Sequence, residues 1–197
     1  RLADPDRSVN GKGLGVHGTV TKTAVATGAD VVAYSGFSSS NYLEQPYNDD
    51  LDFGTNDFCV MGWVKGGLDG HTLLTRQVEG SNNNRFGLYA GGGDIRGFVS
   101  NGSGQTQVIS IMEDTPPNFR QVVFLRRSGV LETYADGVLV NTLANTYDIA
   151  NTSASMFVGV SAQKTNAFTG SLALIRISAT APTADQIAKI YEDEKVL

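Results

Sequence analysis

Asp136-Gly137 stands between two strand-like runs, Leu131-Glu-Thr-Tyr134 before it and Val138-Leu-Val-Asn-Thr-Leu143 after it. A two-residue connection that matches strand twist needs φ > 0 at both central positions. Gly reaches that region without a Cβ clash, and Asp tolerates it better than most residues. The dipeptide therefore predicts a tight hairpin and commits this part of the chain to antiparallel sheet.

The same grammar recurs along the sequence. Apolar and β-branched runs fall at residues 19–26, 30–34, 42–47, 58–65, 72–77, 86–90, 95–100, 107–112, 120–126, 131–134, 138–143, 156–160 and 171–177. Turn-forming clusters separate them, among them Asp69-Gly70, Asn82-Asn83-Asn84, Gly91-Gly92-Gly93-Asp94 and Asn101-Gly102. Short strands at this spacing predict an all-β fold, a two-sheet antiparallel β-sandwich of the jelly-roll type. Residues 1–17, polar and Gly-rich, read as a lead-in arm, and residues 18–197 as one domain. A single short C-terminal helix is expected over 183–194. Thr183-Ala-Asp-Gln186 has the form of a capping box, and Ile187, Ile190 and Tyr191 share one helical face.

Composition narrows the function. The formal charge is −5 and the one adjacent basic pair is Arg126-Arg127, so there is no basic face for nucleic acid. No apolar run approaches the ~20 residues that cross a bilayer, so membrane insertion is not expected. Cys59 is the single cysteine, which excludes an internal disulfide framework. It lies in an apolar run and reads as a core residue, as does Trp63, two alternations along the same strand. The chain begins at Arg1 rather than Met and reads as a piece of something longer.

Catalytic chemistry finds little footing. His17 and His71 are isolated in Gly-rich stretches and read as solvated loop residues, without ligand spacing. A glycosidase needs two carboxylates about 5–9.5 Å apart, most simply at alternate positions of a strand. Glu132 is alone, Glu113-Asp114 precedes a Pro116-Pro117 turn, and Glu192 and Glu194 fall on the expected helix. No catalytic residue is assigned. Carbohydrate sites pair aromatic faces with planar polar groups, and Arg76, Asn83, Arg85, Tyr89 and Arg96 are the candidate ligand-binding residues. The plainer reading, Tyr89 as edge packing and residues 82–84 as a turn, stays open beside it. The acidic group Asn48-Asp49-Asp50-Leu51-Asp52 reads as a solvated turn, with a separate cation site as the alternative.

Several segments, taken in order, resemble laminin-G-like modules of the concanavalin A-like lectin/glucanase superfamily. These are Tyr42-Leu-Glu-Gln-Pro-Tyr47 with Asp50-Leu-Asp-Phe-Gly54, Asp57-Phe-Cys-Val-Met-Gly-Trp-Val-Lys65, Asn118-Phe-Arg-Gln-Val-Val-Phe124, Tyr134-Ala-Asp-Gly-Val138, and Phe168 through Ile177. The resemblance spans roughly residues 30–192. The opening, Asp6-Arg-Ser-Val-Asn-Gly-Lys-Gly-Leu14 through Tyr34-Ser-Gly-Phe37, also resembles a form of this module found in bacteriophage tail or decoration proteins. Relatives that hold a structural calcium place carboxylates in the final strand. Here Ala173 and Leu174 stand there, so calcium is not supported and neither metal nor other cofactor is expected.

With no paired carboxylates in its strands, the chain is expected to be a non-enzymatic jelly-roll module, and its resemblance to phage proteins implies a larger structural protein on a virion or otherwise extracellular. Its partners would be other virion or structural subunits, a second copy of itself, or a cell-surface glycan. A dedicated carbohydrate-binding, lectin-like module is the alternative, and a glycoside hydrolase a third reading. Fold kinship alone does not choose among them.

Overall fold

A computed structural model describes residues 3–4, 13–27, 29–113 and 116–195. In chain order the strands are β1 (Ala3–Asp4), β2 (Leu14–His17), β3 (Thr21–Ala24), β4 (Val32–Ser35), β5 (Tyr42–Gln45), β6 (Phe58–Lys65), β7 (Thr72–Gln77) and β8 (Arg85–Gly91). They continue as β9 (Asp94–Ser100), β10 (Thr106–Glu113), β11 (Arg120–Arg127), β12 (Val130–Ala135), β13 (Val138–Ala144), β14 (Ser155–Val158) and β15 (Ser171–Ser178), followed by helix α1 (Ala184–Glu194). They form two sheets, a front sheet ordered β1-β2-β5-β14-β7-β8-β9-β10 and a back sheet ordered β13-β12-β11-β6-β15-β4-β3. All ladders between these strands are antiparallel. The predicted β-sandwich with one C-terminal helix is therefore the observed fold.

The period-2 alternation of the strands explains where the core sits. On β6, Phe58, Val60 and Val64 face the front sheet and pack with Phe86, Leu74, Phe124 and Val122. The other side of the strand carries Cys59, Met61 and Trp63, which α1 covers. Ile187 is fully buried against Cys59, Met61, Val123, Leu125 and Tyr134. Coverage on both faces is why β6 reads as a continuous apolar run rather than an alternating one. Trp63 stacks on Tyr191 at 5.8 Å and donates its Nε1–H to Glu194 Oε2 at 2.8 Å.

The helix begins where the sequence places it. Thr183 Oγ1 accepts from the Gln186 amide at 3.2 Å, and Gln186 Oε1 accepts from the Thr183 amide at 2.8 Å. Glu194 opposes the helix dipole, yet it accepts from Trp63 and pairs with Arg176, which anchors this end to the sheet. At the Asp136-Gly137 turn both residues have positive φ, 49° and 79°. Asp136 also accepts from Arg120 Nε at 2.7 Å and the Gln121 amide at 3.0 Å.

Three readings change. Residues 14–17 are a strand, β2, in register with β5 (Val16 opposite Leu43) rather than part of an arm; four residues containing a glycine gave too short a pattern to see. His17 is consequently a strand residue, not a loop one. The acidic turn is not wholly solvated, because Asp52 pairs with the buried Arg76. The first part of the phage-like opening, residues 6–12, lies outside the described residues, as does Asp114.

Two buried arginines close one end of the sandwich. Arg76, on front strand β7, reaches Asp52 Oδ1 at 3.2 Å and the carbonyls of Asn151 and Ile149 at 2.7 and 3.5 Å. Arg126, on back strand β11, donates to the carbonyls of Asn56, Tyr147 and Gly54 at 2.8, 2.7 and 2.6 Å and to Asn145 Oδ1 at 2.9 Å. Both side chains thus hold the same two connecting segments, residues 52–56 and 145–151, one from each sheet.

Candidate binding face

α1 packs on the outer side of the back sheet, and among the described residues no α-helix lies on the outer surface of the front sheet. Strand alternation decides which side chains it shows. On β8, Phe86, Leu88 and Ala90 enter the core, so Arg85, Gly87 and Tyr89 point outward. On β9, Ile95 and Val99 enter the core, which turns Arg96, Phe98 and Ser100 outward. Register then sets Arg85 opposite Ser100, Gly87 opposite Phe98 and Tyr89 opposite Arg96. On β10, Thr106, Val108 and Ser110 stand opposite Ser100, Phe98 and Arg96.

The centre of this surface is an aromatic and guanidinium strip. Phe98 lies across Gly87, where a Cβ would come within 2.9 Å of its ring. The Arg85 guanidinium covers Phe98 at 5.1 Å from the ring centroid, and Tyr89 meets it edge-on at 5.7 Å. Arg85 also organises a polar relay across four strands. Its Nε donates to Ser100 Oγ at 3.2 Å and its Nη1 to Gln77 Oε1 at 3.4 Å, while Ser100 and Thr106 share a 2.7 Å hydroxyl contact. Burial lowers the Arg85 guanidinium below its ordinary value, with Tyr89 opposing that shift. Arg96 donates from Nη2 to the Gly92 carbonyl at 3.3 Å, and its buried Nε has no partner.

The five residues singled out from the sequence divide accordingly. Arg85, Tyr89 and Arg96 share the front face, and Asn83 is exposed in the β7–β8 connection at one end of it. Arg76 does not join them, since it points into the closed end of the sandwich with its side chain fully buried. Sequence reasoning missed Phe98, Gln77, Ser100 and Thr106. Alternation around Tyr89 and Arg96 carried the signal, since every second residue of a strand shares a face.

Further across the same sheet lies a second group. Tyr42 and Phe157 are buried, roofed by His17 stacked on Tyr42 at 4.2 Å and by Lys164 Nζ 4.1 Å above Phe157. His17 Nε2 lies 2.8 Å from Glu44 Oε2. Among the described residues, no three His, Cys, Asp or Glu side chains gather as a metal site. Ala173, in the final strand, is buried against Trp63 and Ala33, so that position is apolar.

A family model described as the concanavalin A-like lectin/glucanases superfamily, of laminin-G type, matches residues 37–188. The chain belongs to this superfamily. Among solved structures, the binding domain of Paraclostridial Mosquitocidal Protein 1 superimposes with TM-score 0.75 at 14% identity, over 96% of this chain and 49% of that one. The botulinum neurotoxin serotype G binding domain gives TM-score 0.77 at 12% identity, over 96% and 48%. Domain 4 of AbnA, a GH43 extracellular arabinanase from Geobacillus stearothermophilus solved with arabinotriose, gives TM-score 0.71 at 20% identity, over 88% and 82%. At these identities the likeness is one of fold. The chain spans about half the length of the two toxin domains. No curated protein sequence matches it.

Proposed function

We propose that this chain is a non-catalytic attachment module that binds carbohydrate on the outer face of the front sheet, around Arg85, Tyr89 and Arg96. The observation that carries this reading is the outward placement of Arg85, Tyr89 and Arg96 on two paired strands. The Gln77–Arg85–Ser100–Thr106 relay fixes the Arg85 guanidinium over Phe98, and Tyr89 meets the same ring edge-on. A sugar offers hydroxyls in a plane and an apolar C–H face. Fixed donors and acceptors next to a half-buried aromatic ring suit both, and strands hold them more rigidly than loops would. The AbnA domain, with a similar fold and bound arabinotriose, supports a saccharide as the class of ligand. Such a module would act outside the cell or on a virion surface, within a larger structural protein.

The non-catalytic part of the reading rests on where the carboxylates stand. Glu44 on β5 and Asp94 on β9 are four strand steps apart, roughly 19 Å at the usual inter-strand spacing. That exceeds the ~9.5 Å limit for glycoside hydrolysis. Register also sets Asp94 opposite Glu113 at the sheet edge. Asp94 there accepts from Ser110 Oγ at 2.8 Å, and Glu113 is exposed, so the pair lacks the apolar enclosure a general acid requires.

A glycan array probed with the whole chain, followed by calorimetry on any hit, tests the proposal. Tyr89→Ala and Arg96→Ala are each expected to weaken binding by tenfold or more while the melting curve is kept. The absence of any glycan signal, or affinity unchanged in both variants, refutes it. Contact with structural subunits would then be the remaining route to attachment, favoured by the exposed Val138, Leu139 and Val140.

A further inference from the structure

A guanidinium taken partly out of water is costly unless an anion or several carbonyl oxygens meet it. The described arginines follow that rule with one exception. Arg76 and Arg126 are buried among carbonyl oxygens, and Arg76 also pairs with Asp52. The partly exposed arginines have carboxylates. Arg96 has Asp94 at 3.7 Å, Arg120 has Asp136 at 2.7 Å, Arg127 has Glu132 at 3.0 Å, and Arg176 has Glu194.

Arg85 is the exception. Its Nε and Nη1 donate to neutral groups, Ser100 Oγ and Gln77 Oε1, and its Nη2 has no partner among the described residues. The ring it covers, Phe98, is neutral too. Nearby carboxylates are distant or taken. Asp94, on the facing strand β9, is six residues along from Ser100, roughly 20 Å at the usual strand rise. That is more than about two Debye lengths at physiological ionic strength. Glu113 stands opposite Asp94, at the same remove. Glu79, in the connection beyond Gln77, is exposed and lies 3.5 Å from Lys164. Burial lowers the Arg85 guanidinium below its ordinary value and Tyr89 alone opposes the shift, so no carboxylate compensates the charge.

We infer that the front face takes an acidic oligosaccharide whose carboxylate or sulfate group is held by the Arg85 guanidinium. This rests on the reading of that face as the glycan site and names the class of glycan. The cation is already partly desolvated and is fixed by Ser100 and Gln77. An incoming anion therefore gains a charge-assisted hydrogen bond without having to order the side chain. Both Arg85 and Tyr89 touch Phe98, so one ligand can set its anion on the guanidinium and an apolar ring face on the phenol. The net charge of −5 repels acidic polymers at long range, so recognition depends on this local cation.

Calorimetry on the whole chain with matched probes tests this. Oligogalacturonate and its methyl ester form the carboxylate arm. A sulfated galacto-oligosaccharide and its desulfated form make the sulfate arm, and arabinotriose is the neutral reference. In at least one arm the acidic probe should bind about tenfold or more tightly than its neutral counterpart. That preference should shrink as sodium chloride rises from about 50 to about 500 mM. Arg85→Gln should bring acid and neutral probe to the same affinity, while Arg85→Lys keeps part of the difference. The ratio is the readout because a purely structural loss at Arg85 would weaken both probes alike. Equal affinities in the wild type, neutral probes bound while neither acid binds, or a preference that survives Arg85→Gln each overturn the inference and leave the glycan reading standing. If nothing on the array binds, both fall.

Discussion

Replacing Arg126 with Met keeps most of the side-chain volume and removes the charge and all of its donors. The four oxygens that Arg126 now satisfies, on Gly54, Asn56, Asn145 and Tyr147, would be left behind. A hydrogen bond from a charged donor is worth about 1.5–3 kcal/mol, but burying the guanidinium costs part of that. Burial lowers the pKa of Arg126, with Asp57 and Asp148 opposing, which marks that cost. Taking a net of about 1 kcal/mol for each bond gives a loss of roughly 4 kcal/mol. In a domain of this size that corresponds to about 8–16 °C in melting temperature. A wholly apolar replacement of a buried ion pair can be neutral, but here the acceptors stay and lose their partner. Urea unfolding followed by Trp63 fluorescence and far-ultraviolet circular dichroism measures the change. Arg126→Lys, which keeps the charge but loses the planar fork, should fall between wild type and Arg126→Met. A loss below about 1 kcal/mol for Arg126→Met would refute the idea that this residue ties residues 54–56 to 145–147.

Two further outcomes follow from particular contacts. At Gly137, a Cβ would stand 3.1 Å from Tyr191 Cβ and 3.2 Å from Ala188 Cα at a φ of 79°, so Gly137→Ala should cost about 1–3 kcal/mol by thermal or urea unfolding. Burial pushes the Cys59 thiol up to about 12, with Arg127 opposing. In the unfolded chain the thiol ionises near 9, so the contribution of Cys59 to stability is whole below pH 9 and is lost as pH rises toward 12. Native protein should accordingly leave Cys59 unreactive toward a disulfide reagent at pH 8, and urea should expose it.

Much of this fold was legible because its signals are local. The Asp136-Gly137 turn, the Thr183–Gln186 capping box and the bounds of β6 and β7 each depend on a few neighbouring residues. β2 escaped notice because it gains its place from pairing with β5, between residues 15–17 and 42–44, and not from its own pattern. The site was half legible for a related reason. Arg85, Tyr89 and Arg96 advertise themselves as residue types, and their shared face follows from alternation once the β8–β9 register is known. Arg76 has the same side chain as Arg96, but it sits at an inward position of β7, opposite Phe86, and its charge is spent on Asp52 and two carbonyls. Residue type told where chemistry was available; only register told which way it pointed.

The division of labour between the sheets bears on where binding can occur. The outer face of the back sheet is committed to α1, with Trp63 fixed between Tyr191 and Glu194, and Gly137 leaving just enough room for Ala188 and Tyr191. The closed end of the sandwich is committed to Arg76 and Arg126, whose hydrogen bonds hold residues 52–56 and 145–151 from opposite sheets. What these commitments leave is the front face, where among the described residues no α-helix lies across the Arg85–Tyr89–Phe98 strip, so a ligand that binds there displaces neither α1 nor the two buried arginines.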